Sequence, residues 1–168
     1  LEGLRRQDYP HLEIIISDNA STDGTQLICE QYAASDSRIK YRRAEQNRGS
    51  TWNFNRVFEL SRGKYFRWAA YDDIMLPQFL ERCVDGLEAD PSLVAFHTGV
   101  VRVNEHGNEI SRDAHCSIIC SDNPAKRFRA VIHKSEYPIW AVMRSDAIRK
   151  TNLHQCYPSS EVEFLADL

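Results

Sequence analysis

Gly63-Lys64-Tyr65-Phe66-Arg67-Trp68-Ala69-Ala70-Tyr71-Asp72-Asp73-Ile74-Met75-Leu76-Pro77 reads as a strand that ends in acid. Gly63 closes a preceding helical pattern, the aromatic-rich run that follows suits a pleated strand, and two adjacent carboxylates fall just past its carboxyl end. In open α/β sheets, ligands bind at that edge. Neighbouring carboxylates repel unless a cation lies beside them, and hard oxygen ligands suit Mg²⁺ or Mn²⁺ carrying substrate phosphates. The competing reading is a solvated Asp-Asp turn that caps the helix opened by Pro77.

On the amino-terminal side, residues 11–17 form a strand whose Ile14-Ile15-Ile16 run fits burial on both faces of a parallel sheet, with Asp18 at its carboxyl end. Turn chemistry from Asn19 to Gly24 leads into a helix over 25–34, with Leu27, Ile28 and Tyr32 at near-helical spacing. A second strand covers 39–43, then the loop Asn47-Arg48-Gly49 leads through Ser50, a good N-cap, into a helix to about 61. Phe54, Val57, Phe58 and Leu60 make its apolar stripe, while Asn53 and Asn55 are odd choices for a helix that wants only propensity. Residues 1–8 read as the tail of a helix stopped by Pro10, so the chain begins inside an element.

On the carboxyl side, 77–89 is a helix with Leu80, Cys83, Val84 and Leu87 inward. Residues 93–103 are rich in β-formers and run into a hairpin-type turn at 104–108, which makes this half antiparallel or mixed. A polar loop over 112–123, a helix over 125–134, a strand over 139–143 and a short helix over 145–150 follow, and a last helix begins at Glu161. The pattern is one domain of alternating strands and helices, without repeats or linkers.

Composition narrows the function classes. The 168 residues are 42% hydrophobic and 27% charged with a formal net charge of -3, so no broad basic field attracts nucleic acid. No apolar run approaches membrane-spanning length. Five scattered cysteines without a C-x-x-C pair favour a reducing, cytoplasmic setting, and His115, Cys116 and Cys120 lack the second ligand pair that structural zinc requires. No P-loop or dinucleotide-binding glycine motif is present, which removes support for ATP hydrolysis and hydride transfer.

Three strand ends thus carry groups suited to a nucleotide: Asp18, the Asn47/Arg48 loop, and Asp72-Asp73. Ile15-Ile16-Ser17-Asp18-Asn19-Ala20-Ser21-Thr22-Asp23-Gly24-Thr25, Asn47-x-Gly49 followed by Asn55, Gly63-Lys64-Tyr65, Asp72-Asp73 with Pro77, and Trp140-x-x-Met143-Arg144-Ser145-Asp146 occur in that order. Together they resemble the family-two nucleotide-sugar glycosyltransferases of the GT-A fold. The resemblance spans nearly the whole chain and implies a Rossmann-like α/β sheet, mostly parallel with a mixed C-terminal half and helices on both faces. Residues 1–76 would then form the nucleotide-binding half and 77–168 the acceptor half of one catalytic domain truncated at both ends.

Carried over residue by residue, the resemblance implies that Asp18 accepts a hydrogen bond from the base, uracil in UDP-sugar enzymes, although it also suits a plain turn cap. Asp73 would bind Mg²⁺ or Mn²⁺, with Asp72 reaching the metal shell or the ribose. Many relatives read Asp-x-Asp-Asp where this chain has Ala70-Tyr71-Asp72-Asp73, so the first acid is missing here. Arg48 would meet a phosphate and Asn47 would hold its loop, or both are solvated loop residues. Glu161 matches the family's acid at the acceptor mouth, usually Asp, or is a first-turn acid favoured by the helix dipole. Trp68, Trp140, Tyr71 and Tyr137 either stack on sugar or build core. The family's first strand would precede Leu1, and its absence leaves a sheet edge through which a second copy could pair to form a homodimer.

The expected activity is inverting transfer of a sugar from a nucleoside diphosphate to a hydroxyl acceptor, glycan or lipid-linked, with Glu161 as base. The expected location is cytoplasmic, including the membrane periphery. Two rivals stand beside it: a nucleotide-sugar-binding or assembly module without turnover, and a doubly wound regulatory domain.

Overall fold

The β-branched run near the amino terminus finds its partner in the next one. After a short helix α1 (Glu2–Arg5), β1 (Ile14–Asp18) pairs in parallel with β2 (Ile39–Arg43), Ile14 opposite Ile39 and Asp18 opposite Arg43. Parallel neighbours need a crossover, and α2 (Thr25–Ser35) supplies it. The computed structural model describes residues 1–113, 123, 138–157 and 160–168, the side chains of 113, 138, 161 and 166 excepted. Within β1 only Ile14 and Asp18 are fully buried, and Ile15 and Ile16 are half-buried, because the strand has one ladder partner rather than the two its sequence suits. On α2 the buried position is Cys29, while Leu27 and Ile28 of the expected stripe face solvent.

The helix α3 (Ser50–Leu60) is capped by Gly49, at φ 88°, with Ser50 as its first residue instead of its cap. Its asparagines are staples. Asn53 donates to the Ser17 carbonyl (2.9 Å) and accepts from the Ser17 hydroxyl (2.7 Å). Asn55 donates to the His154 carbonyl (2.9 Å) and accepts its N–H (3.1 Å), so a side-chain amide pairs with backbone as a strand would. Leu153, next to that grip, holds a left-handed φ of 56°. On the core side, Phe54 and Phe58 meet Phe66 and Trp68.

The strand expected over 63–70 pairs only as β3 (Tyr65–Phe66). Its partner explains why. The antiparallel strand β7 (Val142–Arg144) is preceded by a 3-10 turn (Pro138–Trp140), so beyond the position opposite Val142 there is no ladder to join. Side chains take over there: Arg67 Nε donates to the Trp140 carbonyl (2.7 Å) and Trp68 Nε1 to the Phe54 carbonyl (3.0 Å).

The next helix, α4 (Phe79–Ala89), buries Leu80, Cys83, Val84 and Leu87 as its periodicity demands. Gly86 lets it approach β4 (Ala95–Phe96), since a Cβ there would come within 2.5 Å of the Phe96 ring. The β-rich run over 93–103 breaks into β4 and β5 (Val100–Val103), and β5 forms a hairpin with β6 (Glu109–Asp113), which occupies the start of the expected loop. Gly107, at φ 79°, makes the turn. β7 lies between β3 and β4, antiparallel to both. Arg144 at its end donates to the carbonyls of Leu93 (2.7 Å) and Leu87, tying down the carboxyl end of α4. Two short helices close the chain, α5 (Ser145–Ile148) and α6 (Ser160–Asp167). The expected helix over 125–134, and His115, Cys116, Cys120 and Tyr137, lie outside the described residues. No helix among the described residues is long and apolar enough to cross a membrane.

Candidate active site

A first corner forms where β1 ends. Asp18 is a hub: Tyr41 Oη donates to its Oδ2 (2.6 Å), Ser21 N–H donates to its Oδ1 (2.8 Å), and Arg43 Nε lies 3.3 Å from Oδ2. The side chain has no exposed surface. Burial alone would raise its pKa, but the donors from Ser21 and Tyr41, with the Arg43 charge, outweigh that and hold the carboxyl below its ordinary value. Burial, and then the bond to Asp18, push the Tyr41 hydroxyl up to about 12. Ala20 accepts a left-handed φ of 61°, unusual for alanine, in the turn that brings Ser21 back to Asp18. The carboxylate is therefore engaged internally, and a base N–H reaches it only by displacing Tyr41 or Arg43.

Asn19 extends this corner into the second loop. Its amide donates to Asn47 Oδ1 (2.9 Å) and the Gly49 carbonyl (3.0 Å), and its oxygen accepts Arg48 N–H (3.0 Å). Asn47 Oδ1 also takes the Gly49 N–H (2.9 Å), which ties the loop to itself. Arg48 is exposed, and its guanidinium stacks 5.0 Å above the Trp52 ring, whose contacts also include Arg56 at 4.9 Å.

Asp72 and Asp73 make a second corner, both exposed in the loop after β3, beside a fully exposed Tyr71. Behind them Arg67 lies over the Phe79 ring at 4.9 Å, and Phe79 meets His97 edge-on at 5.6 Å. Burial lowers the pKa of His97 below its ordinary value, and the Asp73 carboxylate acts on both His97 and Arg67. Adjacent residues of α3 connect the corners: Asn53 grips the end of β1, and the Phe54 carbonyl takes the Trp68 indole. Both strand ends therefore sit at the amino-terminal half of one helix.

Among the described residues, no three of His, Cys, Asp and Glu gather to hold a metal. A divalent cation would depend on Asp72 and Asp73 together with ligand oxygens, a donor set that Mg²⁺ and Mn²⁺ accept. Glu161 falls in the first turn of α6, with its side chain outside the described part of the structure. Trp68 is core, 4% exposed amid Phe66, Phe164 and His154, and Trp140 packs against the same cluster. Trp68 is therefore core and no sugar platform. The sequence reading missed Tyr41, Arg43, Arg67 and His97. For the first two a signal existed, because Tyr41 and Arg43 alternate along β2 and so share a face.

Known proteins share this fold. The mannosyltransferase PcManGT of Pyrobaculum calidifontis, solved with GDP-Man and Mn²⁺, superposes on 97% of this chain with a TM-score of 0.65 at 17% identity. S. aureus TarS superposes on 99% with a TM-score of 0.70 at 16% identity. The fold is accordingly the GT-A type of α/β structure. Chondroitin synthase of Escherichia coli is 31% identical over 111 residues, 66% of this chain. These matches take up 45%, 29% and 16% of the respective proteins, so the chain spans less than half the length of each. The model of the family described as Glycosyl transferase family 2 matches residues 1–152, and with the motifs standing at the ends of β1 and β3 the chain belongs to that family.

Proposed function

We propose that this chain supplies the donor-binding core of an inverting glycosyltransferase that moves a sugar from a nucleoside diphosphate, UDP in the first instance, to a hydroxyl of a glycan or lipid-linked acceptor. The observation that carries it is the pair of exposed carboxylates, Asp72 and Asp73, after β3, joined through α3 to the hydrogen-bonded corner of Asp18, Asn19 and Asn47. GDP-Man and Mn²⁺ bound to PcManGT support the ligand class.

Asp73 and Asp72 would hold Mg²⁺ or Mn²⁺, which when bound neutralises the charge of the departing diphosphate. Asn19 and Asn47 fix the loop that presents Arg48 to a phosphate, a guanidinium fork suiting that anion. Asp18 would read a base N–H once Tyr41 or Arg43 gives way to it, since a carboxylate accepts an N–H and rejects a lone pair. Glu161, in the first turn of α6, takes the acceptor proton as the acceptor oxygen attacks the anomeric carbon from the face opposite the leaving group. Five scattered cysteines without a C-x-x-C pair fit a cytoplasmic setting.

Titration of UDP by calorimetry, with Mn²⁺, with EDTA, and with Asp73→Ala, tests the reading. Mn²⁺ should strengthen UDP binding about tenfold or more, and the gain should vanish in Asp73→Ala. Equal affinity in all three conditions overturns it.

A further inference from the structure

Trp52 carries two cations. Arg48 Cζ lies 5.0 Å from its ring centroid and Arg56 Cζ 4.9 Å, so two guanidiniums share one indole. The spacing is helical, with Arg56 one turn after Trp52 and Arg48 one turn before it, just ahead of α3. Held by one ring, the two charges lie within the roughly 10 Å over which salt screens at 0.1 M, and they repel. No carboxylate offsets this. Neither arginine forms an ion pair among the described residues, although Glu59 follows Arg56 at a spacing that allows one. Arg56 Nη1 is buried without a hydrogen-bond partner, a costly state for a donor. The ring itself is carried on a fixed support, because Asn53 and Asn55 staple the same helix to Ser17 and His154. Arg48 is the exposed member of the group and Arg56 the half-buried one.

We propose that Arg56 is a positioning residue that makes Arg48 available to the donor's diphosphate, with Trp52 as the station where the two arginines compete. This rests on the preceding reading of Arg48 as the phosphate-binding group and deepens it. In the empty chain Arg48 rests on the ring, where cation–π attraction holds it in a defined place beside its loop. Arg56 occupies the same ring and opposes that rest by like-charge repulsion. A phosphate draws Arg48 off the ring into a paired, hydrogen-bonded state, and the indole is left to Arg56 alone. Binding therefore relieves a repulsion that the fold builds in, and the remaining charge of Arg56 still attracts the anion. None of these steps needs a divalent cation, so the unit works in its absence.

Calorimetry with inorganic pyrophosphate and with UDP, both in EDTA at low salt, reads the unit directly. The unaltered chain should bind both, and more weakly as salt is added. Arg56→Gln should weaken both about three- to tenfold, while Arg56→Lys, which keeps the charge, should restore most of that loss. In Trp52→Leu the ring no longer brings the two guanidiniums together, so the further effect of Arg56→Gln should largely disappear. Should Trp52→Leu fail to fold, the two Arg56 variants decide. Parental affinity in Arg56→Gln overturns the proposal, and so does an Arg56→Lys as weak as Arg56→Gln. It is equally overturned by a full Arg56 effect in a folded Trp52→Leu, by a loss for pyrophosphate without one for UDP, or by no binding in EDTA. If Mn²⁺ still strengthens UDP binding through Asp73 in those cases, only this inference falls; if UDP binds under no condition, the glycosyltransferase reading falls with it.

Discussion

Tyr41 is a hydroxyl that behaves as a fixed donor. Burial first, and then its bond to the Asp18 carboxylate, carry its pKa to about 12, against roughly 10 for a free tyrosine. A folded-state pKa above the unfolded value means stability that is complete below about pH 10 and drains as the pH climbs toward about 12. Urea unfolding measured between about pH 9 and 12 should show that decline, and Tyr41→Phe should flatten it. The same variant should be about 1–3 kcal/mol less stable at neutral pH, because Asp18 loses a donor in a place without water. A variant with the parental pH profile would show that another group titrates. The position of Asp18 was legible in the sequence, because a carboxylate after a β-branched run must come out at a strand end. Its occupation was not. Tyr41 and Arg43 become its partners only through the register that sets Ile16 beside Tyr41 and Asp18 beside Arg43, and a single strand does not contain its register.

At the scale of elements, α3 does most of the joining, and it does so with residues that weaken it as a helix. Asn55 exchanges two hydrogen bonds with His154, a residue 99 positions away, beside the strained Leu153. Asn55→Ala gains at most about 0.7 kcal/mol of helix propensity but strands a backbone N–H and C=O, so a net loss of about 1–3 kcal/mol is expected in urea melts. A neutral or stabilising result would mean that water replaces the amide without loss. The sequence marked these asparagines as anomalous and left their partners open, since the anomaly is local and the partner is distant. The short β3 has a similar cause: aromatic residues from Tyr65 to Trp68 promise a longer strand, but strand length is set by the neighbour, and β7 begins only at Val142. Helix α4 was legible almost to the residue, because its buried face repeats within its own span.

Across the whole molecule, β7 is the wall between two cores. Met143 points into one with Phe66, Trp68 and Ile148, and Val142 into the other with Phe79, Leu80 and Leu87. Met143 is fully buried, so Met143→Ala should lower stability by about 2–5 kcal/mol. If the two clusters unfold together, far-UV circular dichroism and calorimetry should report one shifted transition; two separated transitions would show that the wall does not couple them. The α/β class and the order of elements were readable from the chain, whereas this sharing of one three-residue strand was not, because it depends on which faces meet in space. One further property follows from the placement of the indoles. Trp68 and Trp140 lie in or against the core, but Trp52 is held between Arg48 of the loop and Arg56 of the helix. Any ligand that recruits Arg48 strips one guanidinium from the face of that ring and lets water in. The protein's own ultraviolet emission thus contains a gauge of loop occupancy, and with Trp52→Phe as the blank, binding at the first corner can be followed in a cuvette without a label.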